Sequence, residues 1–303
     1  MSLDLLCVGH AAYDLNLYLP EFPRENSKAE IQEMSESGGG PAANAAYLGS
    51  FWGLDCAFAG LVGADAYGER IREDFAAVGT RTSLLELRPG HSTPFSVILV
   101  NTRTGSRTIV NRKAPAASFR LPATMDPGMT PKCLMFDGHE CEASLEALER
   151  WPEAVSILDA GSVREGTLAL AGRVQHLIAS ERFALQVTGE PSLADTAAHR
   201  RMAHRLKERF TARLVVTLGE RGLIAEDGET FRHLPAFPAQ TVDTTAAGDI
   251  FHGAFAYGCV IGMEYWANLR HASMSASLSV QVRGGRKSIP RRSDVETALI
   301  HAH

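Results

Sequence analysis

Several classes of function find little support in this sequence. Lysine and arginine together number 30 against 35 aspartates and glutamates, and the net charge of −5 does not favour nucleic-acid binding, which usually requires a basic surplus. No window approaches the roughly 18 uncharged apolar residues of a membrane span, so we expect no membrane association. The first residues, Met1–Cys7, include an acidic residue and no basic stretch. We interpret them as the first strand and not as a signal peptide.

Cysteine is scarce and unpatterned. The chain has five cysteines, an odd number, and no two of them form a CxxC pair, so neither a disulfide framework nor a zinc site is indicated. Each lies in an apolar stretch, where a small buried thiol is the ordinary interpretation. Free thiols fit a reducing compartment, and we therefore expect a cytoplasmic protein.

The length and the pattern of apolar residues favour an α/β fold. With 303 residues, 45% of them hydrophobic, the chain suits one large α/β domain with a smaller appendage, or two modest domains. From residue 133 onward, predicted strands and helices alternate, which implies parallel strands with helices on both faces. The segments predicted there are Cys133–Phe136, Ser144–Arg150, Ala154–Leu158, Thr167–Ile178 (helix), Phe183–Val187 (strand), Ser192–Phe210, Leu214–Leu218, Ile250–Ile261 and Trp266–Val282.

The first third of the chain is richer in strands. The segments predicted there are the strands Leu3–Gly9, Leu15–Leu19, Ala29–Ser35, Ala57–Val62, Phe95–Val100 and Arg107–Asn111, and the helices Ala42–Trp52 and Tyr67–Val78. The last two strands flank a hairpin-like turn at Thr102–Gly105. We expect segments near 14–36 and 93–112 to build a small β lid on a doubly wound α/β core within one domain, 1–303.

One run, Val242–Phe255, has the features of an anion site. The small residues Ala246, Ala247 and Gly248 precede an amphipathic helix, whose N-terminal N–H groups can bind phosphate oxygens. Asp249 follows directly and could take a proton from an attacking hydroxyl while those N–H groups hold a phosphoryl group. Taken alone, the run is slightly better explained by an aspartate that caps an ordinary helix, with small residues for packing. The chain has no GxxxxGK[ST] motif, which excludes a P-loop mechanism.

Three motifs in order resemble the ribokinase/PfkB family of carbohydrate kinases. Asp243–Asp249 is similar to the second family signature, usually DTxGAGD; Ser37–Ala46 resembles the first signature, a GG…N run opening a helix; and Val215–Leu223 resembles the family's VTxGxxG strand and turn. Together they span most of the chain. The resemblance implies a ribokinase-like fold and ATP-dependent phosphorylation of a sugar hydroxyl. Asp249 would then be the general base, with Ala246, Ala247 and Gly248 as the anion hole.

The resemblance also implies a sugar site. Gly39 and Gly40 would let a sugar hydroxyl approach the backbone, and the amide of Asn44 would both donate to and accept from hydroxyls. Asp14, soon after the first strand, resembles the family aspartate that hydrogen-bonds sugar hydroxyls. The glycine run does not directly follow the first strand and lacks GxGxxG spacing, so a dinucleotide-binding loop is not indicated.

Four further positions are predicted substrate contacts. Arg107 and Asn111 lie on a predicted strand where ketohexokinases and sulfosugar kinases place polar contacts. Asp137 and His139 follow the strand Cys133–Phe136, at the edge where ligands bind in parallel sheets. His139 stands about where a sulfofructose kinase would have a sulfonate-binding arginine, which counts against a sulfonated substrate.

The nucleotide side is predicted from the third motif and from one glutamate. By the resemblance, Thr217 and Gly219 would line the phosphate and ribose path, and Gly222 would open the turn. Glu190, in Thr188-Gly-Glu-Pro, is matched to the glutamate of the family's NxxE motif, which orders water around Mg²⁺. The asparagine of that motif is absent, because position 187 is valine.

A monovalent-cation site is a further hypothesis. Asp243 and Thr245, with backbone from Val282–Ser288, occupy the places that bind such a cation in ribokinases, so we expect K⁺ activation. In the same loop, Arg283 and Arg286 could contact phosphate, although solvated loop arginines are commoner.

We therefore expect an enzyme that uses ATP and Mg²⁺ to phosphorylate a small-molecule sugar. The stretches around Arg107–Asn111 and Asp137–Glu140 resemble those of ketohexokinases, which implies a primary hydroxyl of a ketohexose as acceptor, while ribose and keto-deoxy sugar acids remain open. The alternatives are a nucleoside kinase of the same family and a non-catalytic sugar-binding regulator on the same fold. Exposed lid strands often pair to cover their edges, so we expect a homodimer formed through the lid.

Overall fold

Two β-sheets of different size organise the chain, as described by a computed structural model for residues 3–31, 33–114, 117–126, 128–228 and 230–302. The strands are β1 (Leu3–Val8), β2 (Ala12–Leu19), β3 (Glu33–Gly39), β4 (Cys56–Gly63), β5 (Arg81–Arg88), β6 (Phe95–Asn101), β7 (Arg107–Arg112), β8 (Pro131–Phe136), β9 (Val155–Ala160), β10 (His176–Ser180), β11 (Arg213–Thr217), β12 (Leu223–Asp227) and β13 (Thr230–Leu234). The helices are α1 (Pro41–Phe51), α2 (Ala66–Ala77), α3 (Cys141–Arg150), α4 (Glu165–Ala171), α5 (Glu181–Thr188), α6 (Thr196–Lys207), α7 (Ala247–Val260), α8 (Tyr265–Ser279) and α9 (Arg292–His301).

The large sheet is mostly parallel. Its order is β13-β12-β11-β10-β9-β8-β1-β4-β5, and the strands from β11 to β5 pair in parallel while β12 and β13 pair antiparallel. One apolar cluster packs the sheet against α1, α2, α7 and α8, and the other packs it against α3, α4, α5 and α6. Strands covered on both faces need continuous apolar sequence, and β4 is buried along its whole length. The expected doubly wound α/β core is confirmed.

The small sheet has the order β3-β2-β6-β7. Its two outer pairs are antiparallel, and β2 pairs with β6 in parallel. Since side chains alternate along a strand, Asp14, Asn16 and Tyr18 share one face of β2. Tyr18, Ile98 and Val100 form the apolar centre of this sheet. The expected lid sheet is thus confirmed.

The third strand of the small sheet lies later than predicted. The prediction Ala29–Ser35 is wrong in its bounds, because β3 begins at Glu33 and continues to Gly39; Gln32, within the predicted segment, lies outside the described residues. The glycines have low strand propensity, yet Gly39 pairs with Ala12 of β2. Pairing with a neighbouring strand therefore overrides local propensity.

Two predictions between residues 167 and 187 are wrong. The predicted helix Thr167–Ile178 divides into α4 and the strand β10, and the predicted strand Phe183–Val187 belongs to α5. Short apolar runs fit both helical and strand periodicity, so capping decides between them. The Ser180 hydroxyl accepts the N–H of Phe183 at 3.0 Å and starts α5, and Gly189 ends it in the left-handed conformation.

The order of the strands creates a crevice at one edge of the large sheet. From β1 the chain proceeds to β4 and β5 on one side, and β8 pairs on the other side of β1. The chain leaves β1 towards one edge of the sheet and leaves β8 towards the other. The connections therefore separate above the carboxyl ends of these two strands, and ligands bind in such a gap. The residues after β1, β8 and β9 and the first residues of α1 and α7 all meet there.

Candidate active site

The start of α7 is shaped by a tight turn. Ala246 adopts a left-handed conformation with φ of 62°, and α7 begins at the next residue. The Asp243 carboxylate holds the turn by accepting the N–H groups of Thr245 at 2.8 Å and Gly284 at 2.9 Å. The first N–H groups of a helix lack intrahelical acceptors and carry partial positive charge. Gly248 is exposed, and an added Cβ there would meet nothing within 4 Å, so the helix start is open to a ligand.

Asp249 lies in the first turn of α7 and is bound to α1. Its Oδ2 accepts a hydrogen bond of 2.7 Å from the side-chain amide of Asn44. Burial and then the charge of Asp159 raise the pKa of Asp249 to about 7, while the Asn44 hydrogen bond and the charges of His252 and Arg107 act in the opposite direction. A carboxylate with a pKa near the working pH is well matched to general-base catalysis.

A wall of glycine backbone lies beside Asn44. An added Cβ on Gly39 would overlap the carboxylate of Asp14, and one on Gly40 would overlap the main-chain oxygen of His10. Gly40, with φ of 100°, precedes α1, and its carbonyl accepts the N–H of Asn44 at 2.8 Å. These contacts bring the predicted residues Asp14, Gly39, Gly40 and Asn44 together with Asp249.

Side chains from β1, β8 and β9 form the opposite wall. The rings of His10 and His139 stack with centroids 4.3 Å apart, and Nη1 of Arg164 lies 2.5 Å from Nε2 of His139. Burial lowers the pKa of His10 to about 3 and also lowers the pKa of His139, so both rings are neutral at pH 7.

Asp137 lies at this wall, but its carboxylate binds backbone. The carboxylate oxygens accept the N–H groups of His10 at 2.8 Å, Ala42 at 3.1 Å and His139 at 3.0 Å. The side chain is buried and ties the end of β1 and the start of α1 to the loop after β8. Asp137 therefore shapes the pocket through the main chain of its neighbours.

Behind Asp249 lies a buried pair that was not among the predicted site residues. The Nδ1 atom of His252 lies 3.2 Å from Oδ2 of Asp159 and 2.6 Å from the carbonyl oxygen of Gly248. Burial and then the charge of Asp137 raise the pKa of Asp159 to about 8, and burial lowers the pKa of His252. The pair connects the end of β9 to the first turn of α7, which carries Asp249.

The small sheet is docked over the start of α7. Nη1 of Arg107 donates to the carbonyl oxygen of Thr244 at 2.9 Å and to its hydroxyl at 2.5 Å, and the Tyr18 hydroxyl donates to Asp243 at 3.2 Å. Arg107 thus binds the turn that precedes Asp249. Asn111 is exposed and pairs with Ser96, which in turn pairs with Asp14, so it shares the face of Asp14.

An open groove of about 640 Å³ lies at the carboxyl ends of β10 and β11. It contains two predicted nucleotide contacts, Thr217 and Gly219. The groove is lined by Ser180, Glu181, Arg182, Leu185, Gln186, Thr217, Leu218 and Gly219. Gly222 is not part of this lining. With φ of 91°, it turns the chain from β11 to β12, and an added Cβ would run into the backbone at Leu234.

Glu190, the predicted magnesium contact, is not among the residues that line this groove. It follows the C-terminal end of α5, and its buried carboxylate pairs with Arg201 and Arg205 of α6, each at 3.2 Å. Two guanidinium groups already satisfy that charge. The local sequence was similar to the motif, but α5 carries the residue away from the strand ends.

Comparison with known proteins agrees with this geometry. A model of the pfkB family of carbohydrate kinases matches residues 2–292. The chain belongs to this family. The deoxyribokinase of Salmonella typhi is 26% identical over 298 residues, covering 95% of this chain and 96% of that one. The nucleoside kinase of Methanothermobacter thermautotrophicus is 27% identical over 313 residues, covering 95% and 92%.

A solved structure gives the same answer for the fold. Arabidopsis thaliana ribokinase complexed with ribose and ATP has a TM-score of 0.80 and 25% identity, and the match covers 99% of both chains. The chain is therefore a sugar or nucleoside kinase with the ribokinase-like fold, as expected. None of the helices in the described ranges is long and apolar enough to cross a membrane.

Membership of the pfkB family implies two bound cations, a monovalent cation and Mg²⁺. The described residues offer a site for the first. The Thr245 hydroxyl is buried beside the Asp243 carboxylate and has no hydrogen-bond partner among the described residues, which suits a monovalent cation. Among all the residues that the structure describes, no cluster of three or more histidine, cysteine or acidic side chains could hold a metal ion.

Three residues of this pfkB site were missed or misjudged. Asp159 lies at the carboxyl end of the apolar strand β9, much as Asp137 follows β8, and His252 lies about one helical turn after Asp249, so both patterns carried a usable signal. The interpretation of Arg286 as a solvated loop arginine is wrong, because its side chain is only 3% exposed. No local pattern indicates that burial.

Proposed function

We propose that this chain transfers the γ-phosphoryl group of ATP to a primary hydroxyl of a ketohexose or related monosaccharide. Asp249 is the general base, and the N–H groups of Ala246, Ala247 and Gly248 form the anion hole. The observation that carries the proposal is the 2.7 Å hydrogen bond from Asn44 to Asp249. It joins the glycine wall, which suits a polyol, to the open helix start, which suits a phosphoryl group.

The acceptor sugar lies between the glycine wall and the His10–His139 wall. Asp14 accepts hydrogen bonds from sugar hydroxyls, and the backbone of Gly39 and Gly40 allows a close approach. Asn44 donates to Asp249 and so keeps one carboxylate oxygen oriented, while the other faces the attacking hydroxyl.

Phosphoryl transfer then needs one proton movement. Asp249 takes the proton of the attacking hydroxyl as the new oxygen–phosphorus bond forms, and the bond between the γ-phosphorus and the bridging oxygen breaks to release ADP. The N–H groups at the start of α7 stabilise charge on the transferred group. Bound Mg²⁺ supplies charge neutralisation at the ATP phosphates.

The groove at β10 and β11 is the proposed nucleotide site. Thr217 and Gly219 border the phosphate and ribose path, and the Asp243–Thr245 turn holds K⁺. Docking of Arg107 on Thr244 supports closure of the small sheet over the reacting groups, which excludes water and limits ATP hydrolysis.

The proposed choice of a ketohexose as phosphoryl acceptor is based on the polar side chains around the pocket. Asn111 shares the face of Asp14, and His139 with Arg164 offers polar atoms at the opposite wall. Ribose remains an alternative acceptor, supported by the ribose named in the Arabidopsis structure, and a nucleoside is a second, supported by the archaeal relative.

The small sheet is also the proposed dimer surface. Ile109 and Val110 of β7 and Met34 of β3 are roughly half exposed on the edge strands of this sheet. Such edges are commonly covered by a second copy. We accordingly propose a cytoplasmic homodimer in which each chain, 1–303, is one domain with its own lid.

An assay of ADP release over ketohexoses, ribose, deoxyribose and nucleosides tests the proposal. We expect one monosaccharide class to give saturable turnover. Asp249→Asn should bind ATP normally and lose about 10² or more in kcat, on the scale of general-base losses. Asp294→Asn is the matched control, because Asp294 also lies in the first turn of a helix, far from the site. Near-normal turnover of Asp249→Asn would overturn the assignment.

A further inference from the structure

Arg286 is a buried cation in the loop between α8 and α9, and it takes part in no step described so far. Its guanidinium carbon lies 4.8 Å and 4.9 Å from the ring centroids of Tyr47 and Phe75, which belong to α1 and α2. Nη1 donates to Asp74 at 3.1 Å, and an added Cβ on Gly38 would overlap this nitrogen. The aromatic rings, the carboxylate and the glycine fix the guanidinium in one place.

The third contact of Arg286 reaches the sugar site. Its Nε donates to Oδ1 of Asn44 at 3.1 Å. A guanidinium group has only donors, so the Asn44 atom that faces it must be the oxygen. The amide nitrogen of Asn44 must then face the other way, towards Asp249, and it donates there at 2.7 Å.

We propose that Arg286 is a positioning residue that fixes the amide orientation of Asn44 and thereby holds Asp249 as a hydrogen-bonded carboxylate. Without Arg286 the Asn44 amide could rotate and present its oxygen to Asp249, which favours the protonated acid. This inference rests on the proposed role of Asp249 as the base. Arg286 touches neither substrate directly in this role.

The charged and titratable groups around Asp249 come from several elements. They are Asp159 at the end of β9, His252 in α7 and Arg107 in β7, with the neutral donor Asn44 in α1. Asp159 raises the pKa of Asp249, and the other three lower it. Loss of the Asn44 donor therefore raises the pKa of Asp249. Because the base works as the carboxylate, the acidic limb of the activity profile moves to higher pH.

The test uses Arg286→Met and Arg286→Lys, with Arg72→Met as control. Arg72 lies on α2, as Asp74 does, and forms an exposed ion pair with Glu69. We expect both Arg286 variants to move the acidic limb of kcat/KM upward by about 0.5 to 1 pH unit and to lower kcat by about 10- to 100-fold, on the scale of one buried hydrogen bond. Arg72→Met should change neither quantity.

Arg286→Lys keeps the proposal testable if the methionine variant does not fold. Lysine retains a cation beside Asp74 but lacks the planar fork that binds Asp74 and Asn44 together. In the double variant Asn44→Ala/Arg286→Lys, kcat should be no lower than in Asn44→Ala alone, because Arg286 acts through Asn44. Additive losses, or an unshifted acidic limb in a folded Arg286 variant, would overturn the inference.

A measurement without turnover separates this inference from the proposed function. Carboxyl ¹³C NMR of aspartate-labelled protein, assigned with Asp249→Asn, gives the pKa of Asp249 directly. The pKa should be higher in Arg286→Lys than in the unsubstituted protein. An unchanged pKa rejects the positioning role. A raised pKa in a protein that phosphorylates no acceptor supports the positioning role while rejecting the proposed function.

Discussion

The proposed acceptor side and the proposed nucleotide side of the crevice are built differently. On the acceptor side, Asn44 and Arg286 are buried and linked to Asp249 by successive side-chain hydrogen bonds. On the nucleotide side, Gly219 is exposed and Thr217 only half-buried, in an open groove. A fixed acceptor site and an open nucleotide groove suit a reaction in which alignment of the attacking hydroxyl decides the rate.

The largest expected effect comes from filling the acceptor side. An added methyl on Gly39 would overlap the Asp14 carboxylate. Gly39→Ala should therefore raise the acceptor KM by about 10- to 100-fold while leaving the ATP KM within about threefold, since one displaced charge-assisted hydrogen bond contributes about 1.5 to 3 kcal/mol. Steady-state kinetics with each substrate varied in turn provides the measurement.

Gly172→Ala serves as the control for that substitution. Gly172 ends α4, and an added Cβ there meets nothing within 4 Å. The comparison between the two sides fails if Gly39→Ala impairs ATP and acceptor equally.

A smaller effect is expected from changing the electrostatics behind the base. Asp159 raises the pKa of Asp249, which is about 7. Asp159 itself has a pKa raised to about 8, so Asp159→Asn removes only the share of negative charge that Asp159 carries while Asp249 titrates. The pKa of Asp249 should fall, and the acidic limb of kcat/KM should move to lower pH by up to about 1 unit. The two buried carboxyls titrate as a pair, so the profile should also become simpler.

The matched control for this pH shift is Asp4→Asn. Asp4 lies at the opposite end of the large sheet, where it pairs with Lys132 at 2.7 Å. If the acidic limb of the kcat/KM profile moves to higher pH in Asp159→Asn, or moves equally in Asp4→Asn, that limb does not report the ionisation of Asp249.

The smallest effect on activity is expected at Glu190. Glu190→Gln removes a carboxylate that pairs with Arg201 and Arg205, so it should destabilise the fold by about 1 kcal/mol, the scale of such partly exposed pairs. The Mg²⁺ concentration for half-maximal activity should stay within about twofold. A large increase in that concentration, measured with Tm alongside, would return Glu190 to the nucleotide side.

The parts of the site that could be predicted from sequence are those carried by contiguous residues. Asp249 with the three small residues before it, and Gly39 and Gly40 with Asn44, are local patterns whose chemistry depends on the backbone at a helix start. The structure brings these two groups into contact, which no local pattern could establish. Their roles in catalysis stay predictions until the variants are measured.

The parts that could not be predicted depend on direction or on distant packing. Glu190 had the expected neighbours in sequence, but the direction of α5 takes it to Arg201 and Arg205. Arg286 was interpreted as solvated because nothing beside it in the sequence reveals Tyr47 and Phe75. In the fold, alternation alone predicted the parallel sheet, whereas the short run Phe183–Val187 needed the Ser180 cap to be recognised as helix.

The glycine run also bears on how the acceptor range of such an enzyme can change. Gly38, Gly39 and Gly40 each exclude a side chain in favour of a different partner: Arg286, Asp14 and the backbone of His10. A side chain placed at any one of these glycines therefore displaces its partner, which belongs to a different segment of the chain. The facing wall of His10, His139 and Arg164 consists of side chains, which can be exchanged singly. Preference for one sugar over another can thus evolve, or be engineered, on that wall while the phosphoryl-transfer groups stay constant.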